Sequence, residues 1–315
     1  MKKKKIEISV VTPVFNEEKN LKIFKNELEK VFKKMKIKNY EVIFCLDPSK
    51  DRSEAIISSF CRENKNYCLI KTSRNFGQAA CTMAGIKYSN GKYVVIIDCD
   101  LQDPPNLIPK LYNKIKTGYD TVYAERDKRL GLNIFYKIFT YFGYKILNVS
   151  SEIKIPKNVG DFRIISRKIV KQLNSLKESN NFLRGLIPLV GFKSTNIKYI
   201  RQERKLGYAK YNRYFGSIKI GLNGLIGFSN FLINLIFYLG LIIFMASFVG
   251  ISFLFYNVFF NNNPYAVGIP SVMVLILFIG SVQLLSLSVI GQYVGKTFEE
   301  TKQRPKYIIE KKINL

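Results

Sequence analysis

The feature that most constrains this chain is a long segment without any charged side chain. No Asp, Glu, Lys or Arg occurs between Ile220 and Gly295, and an ordinary soluble surface does not lack charge over such a length. Two apolar stretches within it, about 230–255 and 269–293, are each long enough to cross about 30 Å of hydrocarbon as a helix. We therefore predict a membrane domain over 220–295 with two transmembrane helices. A buried helical hairpin in a soluble protein is the alternative.

Basic residues flank both predicted helices, whereas the loop between them carries no charge. The positive-inside rule therefore places both termini in the cytoplasm. The first residues, MKKKKIEISV, lack the apolar core of a signal peptide and pass directly into a strand pattern. These features predict an integral protein of the cell inner membrane, with residues 1–219 and a basic tail, 296–315, on the cytoplasmic side.

Charge and composition narrow the partners and the chemistry. The formal net charge is +27, from 50 Lys and Arg against 23 Asp and Glu, which predicts anionic partners such as a lipid bilayer or phosphorylated substrates. Nucleic acid is not predicted, because much of the excess reflects a Lys-rich composition and charge alone does not select it. The absence of His excludes His acid-base catalysis and His metal ligands. Five Cys without C-x-x-C spacing predict buried, reduced thiols.

The region before the membrane segment alternates between strand and helix patterns. Short β-rich runs occur at about 6–12, 40–46, 68–72, 93–98 and 120–124, and helical patterns separate the first four. This alternation predicts an α/β fold with a mostly parallel sheet, in which ligands collect beyond the carboxyl ends of the strands. A further amphipathic pattern at about 132–148 indicates a helix. That helix either lies on the membrane or packs on the sheet.

Four polar side chains crowd the end of the apolar run YVVII. Asp98, Asp100, Gln102 and Asp103 follow it within six positions, and such oxygen-rich groups are costly to place together without a cation. Mg²⁺ or Mn²⁺ takes one or two carboxylates together with substrate phosphates. We therefore predict a metal site formed by Asp98, Asp100 and Gln102.

Polar residues also follow the first two predicted strands. The sequences VTPVFNEE and CLDPSKD place carboxylates and amides at strand-to-helix turns. Such residues either cap the helices or contact the ribose and base of a nucleotide, and the sequence leaves both interpretations open.

Six motifs occur in a fixed order along the chain: VTPVFNEE, CLDPSKD, SRNFGQAACTMAG, DCDLQDPP, GDFRIISR and RKLGYAKY. With the two predicted spans after them, they resemble the inverting glycosyltransferase family 2, and within it the polyprenyl-phosphate glycosyltransferases. The resemblance implies a GT-A-type nucleotide-sugar-binding domain over 1–219, a UDP- or GDP-linked sugar donor, a polyprenyl phosphate acceptor and a divalent metal. Relatives often self-associate, so a homo-oligomer is compatible with it.

The resemblance also implies roles for individual residues. Those matching the nucleotide-sugar site are Pro13, Phe15, Glu17, Asp47, Arg74, Asn75, Gly77 and Asp98. Those matching the acceptor-phosphate site are Arg126, Arg129, Arg163, Arg204 and Lys210. Asp100, Asp161 and Arg163 match catalytic positions. Leu46 and Pro48 depart from the D-D-G-S turn of the family, which leaves the choice between UDP and GDP open.

The resemblance places Asp161 near the attacking oxygen of the acceptor. A phosphate monoester has a second pKa of about 6, so at pH 7 it needs little deprotonation. We therefore predict that Asp161 chiefly orients an arginine or the acceptor, with base catalysis secondary. A carboxylate that merely caps a turn is the structural alternative. For the whole chain, the rivals are a transferase with a saccharide or other lipid acceptor and a catalytically silent membrane scaffold.

Overall fold

The computed structural model describes residues 5–127, 158–176, 183–202 and 269–315, together with isolated positions between 236 and 260. These residues form one eight-stranded sheet with the strand order β7-β5-β6-β4-β1-β2-β3-β8. The strands are β1 Ile8–Val14, β2 Tyr40–Leu46, β3 Tyr67–Thr72, β4 Tyr93–Ile96, β5 Thr121–Arg126, β6 Val159–Ser166, β7 Ser194–Tyr199 and β8 Ile309–Ile313. Among these strands, β6 and β8 run antiparallel to their neighbours and all other pairings are parallel.

Helices cover both faces of the sheet. The helices are α1 Glu18–Met35, α2 Ser53–Glu63, α3 Gln78–Tyr88, α4 Ile108–Ile115, α5 Arg167–Ser175, α6 Leu183–Val190 and α7 Ile269–Thr301, with a 3₁₀ turn at Pro105–Leu107. Apolar residues of α1, α2 and α4 pack on one face, and those of α3, α5 and α6 pack on the other. Neighbouring strand residues such as Val10 and Val11 therefore enter different cores, because successive side chains point to opposite faces. The predicted α/β fold with a mostly parallel sheet is confirmed.

All five predicted strands are present within a few residues of their predicted bounds. Three further strands were not predicted, and each lacks the apolar run of a buried parallel strand. β6 contains the charged residues Asp161 and Arg163. β7 is an edge strand in which exposed and half-buried side chains alternate, and β8 has charged residues at its three central positions.

The tail predicted over 296–315 contains the eighth strand. β8 pairs antiparallel with β3, with Ile313 opposite Leu69 and Ile309 opposite Thr72. The side-chain amide of Asn314 donates to the backbone carbonyls of Cys61 at 2.7 Å and Tyr67 at 2.9 Å. The chain that follows α7 is therefore part of the same sheet as β1–β7, in addition to being basic.

One helix in the described part of the chain, α7, contains a segment long and apolar enough to cross a membrane, Phe278–Thr301. This segment overlaps the predicted span at 269–293. The predicted span at 230–255 lies outside the described residues except at isolated helical positions. The predicted amphipathic helix at 132–148 also lies outside the described residues.

Candidate active site

The carboxyl ends of the parallel strands bring the predicted site residues to one edge of the sheet. Phe15 follows β1, Asp47 follows β2 and Asp98 lies just beyond β4, while Arg126 ends β5. β6 runs in the opposite direction, so its beginning, with Asp161, lies at the same edge. This edge therefore collects side chains that are far apart in sequence, as expected for a parallel sheet.

The loops after β1 and β2 cap each other's helices. Asp51 accepts a hydrogen bond from the backbone N–H of Glu18 at 3.0 Å, and Glu18 accepts one from the backbone N–H of Arg52 at 3.0 Å. Asn16, with a positive φ of 51°, donates its N–H to the Ser49 hydroxyl at 2.9 Å. These contacts satisfy amides at the first turns of α1 and α2. The capping interpretation therefore applies to Glu18 and Asp51. Asn16 instead joins the two loops, because its side-chain oxygen accepts a hydrogen bond from the backbone N–H of Lys50 at 2.7 Å, and Glu17 is the residue at the N-cap of α1.

Two predicted donor residues in the β1 loop have different surroundings. The Glu17 carboxylate accepts a hydrogen bond from the Asn20 side chain at 2.6 Å, within the first turn of α1. Phe15 is exposed at the edge of the sheet, and Pro13 is half-buried inside β1. Of the three, Phe15 therefore offers a ring surface at the site edge.

Asp47 holds the loop between β3 and α3. Its buried carboxylate accepts hydrogen bonds from the Thr72 hydroxyl at 2.7 Å and from the backbone N–H groups of Phe76 at 3.2 Å and Gly77 at 2.9 Å. Gly77 has a φ of 89°, a conformation that favours glycine. The same loop carries the exposed residues Arg74 and Asn75. Asp47 therefore shapes the segment that contains three other predicted donor residues.

Hydrogen bonds hold both carboxylates of the predicted metal-binding turn. Asp98 accepts a hydrogen bond from the Gln78 side chain at 2.8 Å, and Asp100 accepts one from the backbone N–H of Gln102 at 3.1 Å. Burial, together with the negative charges of Asp161, Asp100 and Asp103, raises the pKa of Asp98 to about 8. A cation bound here would relieve that concentration of negative charge.

The donor set fits a divalent cation that is shared with a substrate. In the described residues, no three His, Cys, Asp or Glu side chains converge to form a metal site by themselves. Mg²⁺ is commonly held by one or two carboxylates while phosphates and water complete its octahedron. Asp98, Asp100 and Gln102 can supply that partial set.

Asp161 forms a two-pronged ion pair with an arginine that the sequence did not single out. Arg184, near the start of α6, donates Nε to one carboxylate oxygen and Nη2 to the other, each at 3.0 Å. Burial alone would raise the pKa of Asp161, but the charge and hydrogen bonds of Arg184, with further help from Arg163 and Arg126, hold that pKa below its usual range. The Asp161 carboxylate therefore stays ionised at neutral pH and is a weak base.

Arg163 has a buried guanidinium that contacts the protein backbone. Nη2 donates to the carbonyl of Gly160 at 2.6 Å, Nε donates to that of Asp161 at 3.1 Å, and Nη1 lies 3.5 Å from that of Leu183. The guanidinium also lies over the Tyr123 ring. The side chain is 1% exposed, so its contacts link β6 to the start of α6, next to Arg184. Arg163 is therefore buried beneath the edge of the sheet, and its Nη2 also lies 3.5 Å from a carboxylate oxygen of Asp161.

A second group of arginines surrounds Asp103, whose side chain is 1% exposed. Arg126 Nη2 lies 3.6 Å from one carboxylate oxygen, Arg201 Nε lies 3.3 Å from the other, and the Tyr199 hydroxyl donates a hydrogen bond to the same carboxylate. Gly160 makes room for this group, because a Cβ there would lie within 2.9 Å of Arg126 Cζ.

The structure thus brings most of the predicted residues to one edge, and adds several that were not predicted to be there. Arg129, Arg204 and Lys210 lie outside the described residues. Residues that sequence reasoning did not assign to the site are Gln78, Asp103, Arg184, Tyr199 and Arg201. Asp103 lies inside a quoted motif and Arg201 lies three positions before Arg204, so proximity to motifs was the available signal. Arg184 lay in no quoted motif.

Comparisons with known proteins agree with this architecture. The Glycosyl transferase family 2 model matches residues 9–173. An uncharacterized glycosyltransferase of Synechocystis sp. is 40% identical over 304 residues, covering 96% of this chain and 95% of that protein. A prophage bactoprenol glucosyl transferase homolog of Escherichia coli is 36% identical over 306 residues, covering 97% and 99%.

Solved structures of lower identity also match. The mannosyltransferase PcManGT of Pyrobaculum calidifontis, solved with GDP-Man and Mn²⁺, is 14% identical with a TM-score of 0.47, over 70% of this chain and 62% of that one. A glucosyl-3-phosphoglycerate synthase of Mycobacterium tuberculosis, solved with UDP, is 18% identical with a TM-score of 0.48, over 70% and 78%. The family match and the near full-length relatives decide the assignment: this chain belongs to glycosyl transferase family 2.

Proposed function

We propose that this protein transfers a sugar, with inversion, from a UDP- or GDP-linked donor to a polyprenyl phosphate. The observation that carries the proposal is the edge of the sheet, where the acidic turn of Asp98 and Asp100 lies beside the arginines paired with Asp161 and Asp103. A cation at the acidic turn would balance the charge of a donor diphosphate, and arginines suit the acceptor phosphate. Relatives of nearly the same length carry the name bactoprenol glucosyl transferase, which supports this acceptor.

The reaction is an in-line displacement at the anomeric carbon of the sugar. An oxygen of the acceptor phosphate forms the new bond to that carbon as the bond to the donor diphosphate breaks, so the configuration inverts. Asp98, Asp100 and Gln102 would hold Mg²⁺ or Mn²⁺, which when bound neutralises the charge growing on the leaving diphosphate. Asp47 and the loop that it holds would shape the donor pocket.

In this reaction Asp161 orients an arginine. Its ionised carboxylate accepts hydrogen bonds from Nε and Nη2 of Arg184. The acceptor phosphate is already largely dianionic at neutral pH, so it needs little help from a base. A carboxylate of lowered pKa takes up a proton poorly, whereas a guanidinium fixed in direction binds a phosphate oxygen well. Arg184 therefore takes the place among the acceptor-binding groups that the sequence suggested for Arg163.

We further propose that the protein spans the inner membrane twice, with both termini and the sheet in the cytoplasm. β8 is the next strand or helix after α7 in the chain, and it pairs with β3. A chain that leaves a folded domain, enters the bilayer and returns to the same domain must cross the bilayer an even number of times. The α7 segment supplies one crossing, and the apolar stretch at 230–255 would supply the other.

The function is tested with purified full-length protein, Mg²⁺ and a short-chain polyprenyl phosphate, incubated with UDP- and GDP-linked sugars in separate reactions. Mass spectrometry of the lipid should show one added hexose linked through phosphate, and excess chelator should abolish it. Sugar on a product without phosphate would favour the saccharide or other lipid acceptor. Failure to bind any nucleotide sugar would favour the silent scaffold.

The topology is tested by placing a single thiol in the loop between the proposed spans. The five native Cys residues are buried, and burial raises the pKa of Cys61 to about 11, so they should react little with an impermeant maleimide. Asn262→Cys should be labelled in intact cells, whereas Lys306→Cys should be labelled only after lysis. Equal labelling of both positions in intact cells would contradict two spans.

A further inference from the structure

Asp103 is a buried carboxylate that contacts basic groups from two neighbouring strands. Arg126 ends β5 and Arg201 lies two residues beyond β7, and the two guanidinium groups approach different oxygens of Asp103. Tyr199, the last residue of β7, donates its hydroxyl to the same carboxylate and lies 3.4 Å from Arg126 Nε. One carboxylate therefore fixes the relative position of two arginines that are far apart in sequence.

Two guanidinium groups share the single carboxylate of Asp103. Arg201 also acts electrostatically on Asp98, and Arg126 on Asp161. Arg201 Nε makes no hydrogen bond in the described structure. Its pair with Asp103 is therefore held by charge and not by an aligned hydrogen bond. The Arg126 and Arg201 side chains are 15% and 29% exposed, so each is partly open to the edge.

The location of Arg126 and Arg201 in the sheet favours the acceptor over the sugar donor as their ligand. The donor-shaping loops follow β1, β2 and β3, whereas β5 and β7 lie beyond β4 and β6 on the other half of the sheet. The backbone N–H of Gln202 donates to the carbonyl of Gln102 at 3.0 Å, so the chain after β7 touches the acidic turn. In the sequence, the uncharged segment that begins at Ile220 follows this strand, and in the proposed function the lipid acceptor comes from the bilayer that this segment would enter.

We propose that Arg201 and Arg126 together bind the phosphate of the acceptor, and that Asp103 is the positioning residue that holds them side by side. The inference rests on the proposed function and adds Arg201 and Asp103 to it. Guanidinium groups suit phosphate because their planar forks present parallel N–H donors. A carboxylate beneath two such forks reduces the rotamer freedom that each would lose on binding.

A purely structural role for Asp103 makes a different prediction. If the carboxylate only neutralised two neighbouring positive charges, its removal would lower thermal stability and impair use of the donor and the acceptor together. The positioning role predicts a selective effect on the acceptor. Arg201 separates the two roles best, because its partly exposed side chain can be replaced without opening the core.

The test measures binding of a short-chain polyprenyl phosphate to the full-length protein in detergent, without donor, with the corresponding polyprenol as the reference for the lipid chain. Arg201→Gln and Asp103→Asn should each raise the Kd of the phosphate about tenfold, and leave that of the polyprenol and the KM of the sugar donor within about twofold. Tyr199→Phe keeps the charge of Asp103 and should have a smaller effect in the same direction.

Asp120→Asn is the matched control. Asp120 accepts a hydrogen bond from the Ser166 hydroxyl at 2.8 Å at the opposite end of β6, so its replacement should leave phosphate binding unchanged. If the wild-type protein binds polyprenol and polyprenyl phosphate equally, the proposed acceptor is wrong. The assignment of its phosphate to Arg126 and Arg201 is then wrong as well. If the wild-type protein prefers the phosphate but folded Arg201→Gln binds it equally well, the proposed function stands and this inference is overturned.

Discussion

The two halves of the sheet build their edges with different interactions. The loops that follow β1, β2 and β3 are held by side chains that accept hydrogen bonds from backbone N–H groups. Asp47, for example, accepts one from the backbone N–H of Gly77. The chain segments around β5, β6 and β7 are held by ion pairs. Asp161 pairs with Arg184, and Asp103 pairs with Arg126. In the first half the loops are shaped by hydrogen bonds from backbone N–H groups, and in the second half carboxylates orient arginines. The proposed donor and acceptor would thus be recognised by different physical means.

The acidic turn lies where the two halves meet, and its loss should have the largest effect. Asp100→Asn removes an anionic oxygen that the proposed metal site needs, so kcat should fall about 10³-fold at saturating substrates. Steady-state kinetics over a range of Mg²⁺ and Mn²⁺ concentrations checks this. Asp120→Asn, a carboxylate far from the edge, should retain activity. A variant with full turnover in excess chelator would contradict the metal role.

Asp161→Asn should cost about 10²-fold in kcat, because Arg184 loses its anionic partner. The lowered pKa of Asp161 keeps it ionised across the neutral range, so the acidic limb of the wild-type pH-rate profile should follow acceptor ionisation at about pH 6. The variant should keep the same limb and a lower plateau. Arg184→Gln should resemble it, and Arg184→Lys should not restore activity because Lys lacks the fork.

The same pH-rate profile decides between the two roles of Asp161. A missing base is replaced by hydroxide, so its loss gives a rate that climbs steadily well above pH 7. Such a climb in Asp161→Asn would show that Asp161 is the base and that the orienting role is wrong.

Asp47→Asn tests the half held by hydrogen bonds to backbone. An amide cannot accept with its NH₂ group, so one of the contacts to Thr72, Phe76 or Gly77 is lost and the loop loosens. The KM of the nucleotide sugar should rise about tenfold while that of the acceptor stays unchanged. An equal rise in both KM values would break the distinction between the halves.

Gly160→Ala tests the half held by ion pairs, with a smaller effect. The added methyl group would displace the flexible end of the Arg126 side chain, which costs little stability. The KM of the acceptor should rise about fivefold, which corresponds to roughly 1 kcal/mol, and the donor KM should not change. An unchanged acceptor KM in a folded variant would show that Arg126 is not positioned through Gly160.

Asn314→Ala should leave both halves of the site unaffected. It removes two hydrogen bonds to the backbone at Cys61 and Tyr67, so thermal unfolding should show a loss of roughly 1–2 kcal/mol. Asn314 has a φ of 61°, and Asn314→Gly, which tolerates that conformation, separates the lost hydrogen bonds from backbone strain. Reduced kcat in the glycine variant at a temperature where it is folded would tie β8 to the site.

The sequence predicted the half built from β1 to β4 better than the other half. Strand, turn and helix follow one another locally there, so Asp47 and Asp98 could be placed at strand ends from apolar patterns alone. The other half depends on β6 inserting antiparallel between β4 and β5, which no local pattern encodes. The partner of Asp161 was missed for the same reason, since Arg184 lies on a helix that folds back from outside any recognised motif. The roles of Arg129, Arg204 and Lys210 stay predictions.

The pairing of β8 with β3 has a consequence for biosynthesis. The ribosome makes residues 67–72 early and residues 309–313 only after α7 has been synthesised. During that interval the outer edge of β3 lacks the strand that covers it, and an unpaired edge is a template for pairing with other chains. Completion of the sheet therefore follows synthesis of the apolar segments. In the proposed topology, a chain that stalls during membrane insertion would expose the β3 edge to quality-control factors as a sign of failed insertion.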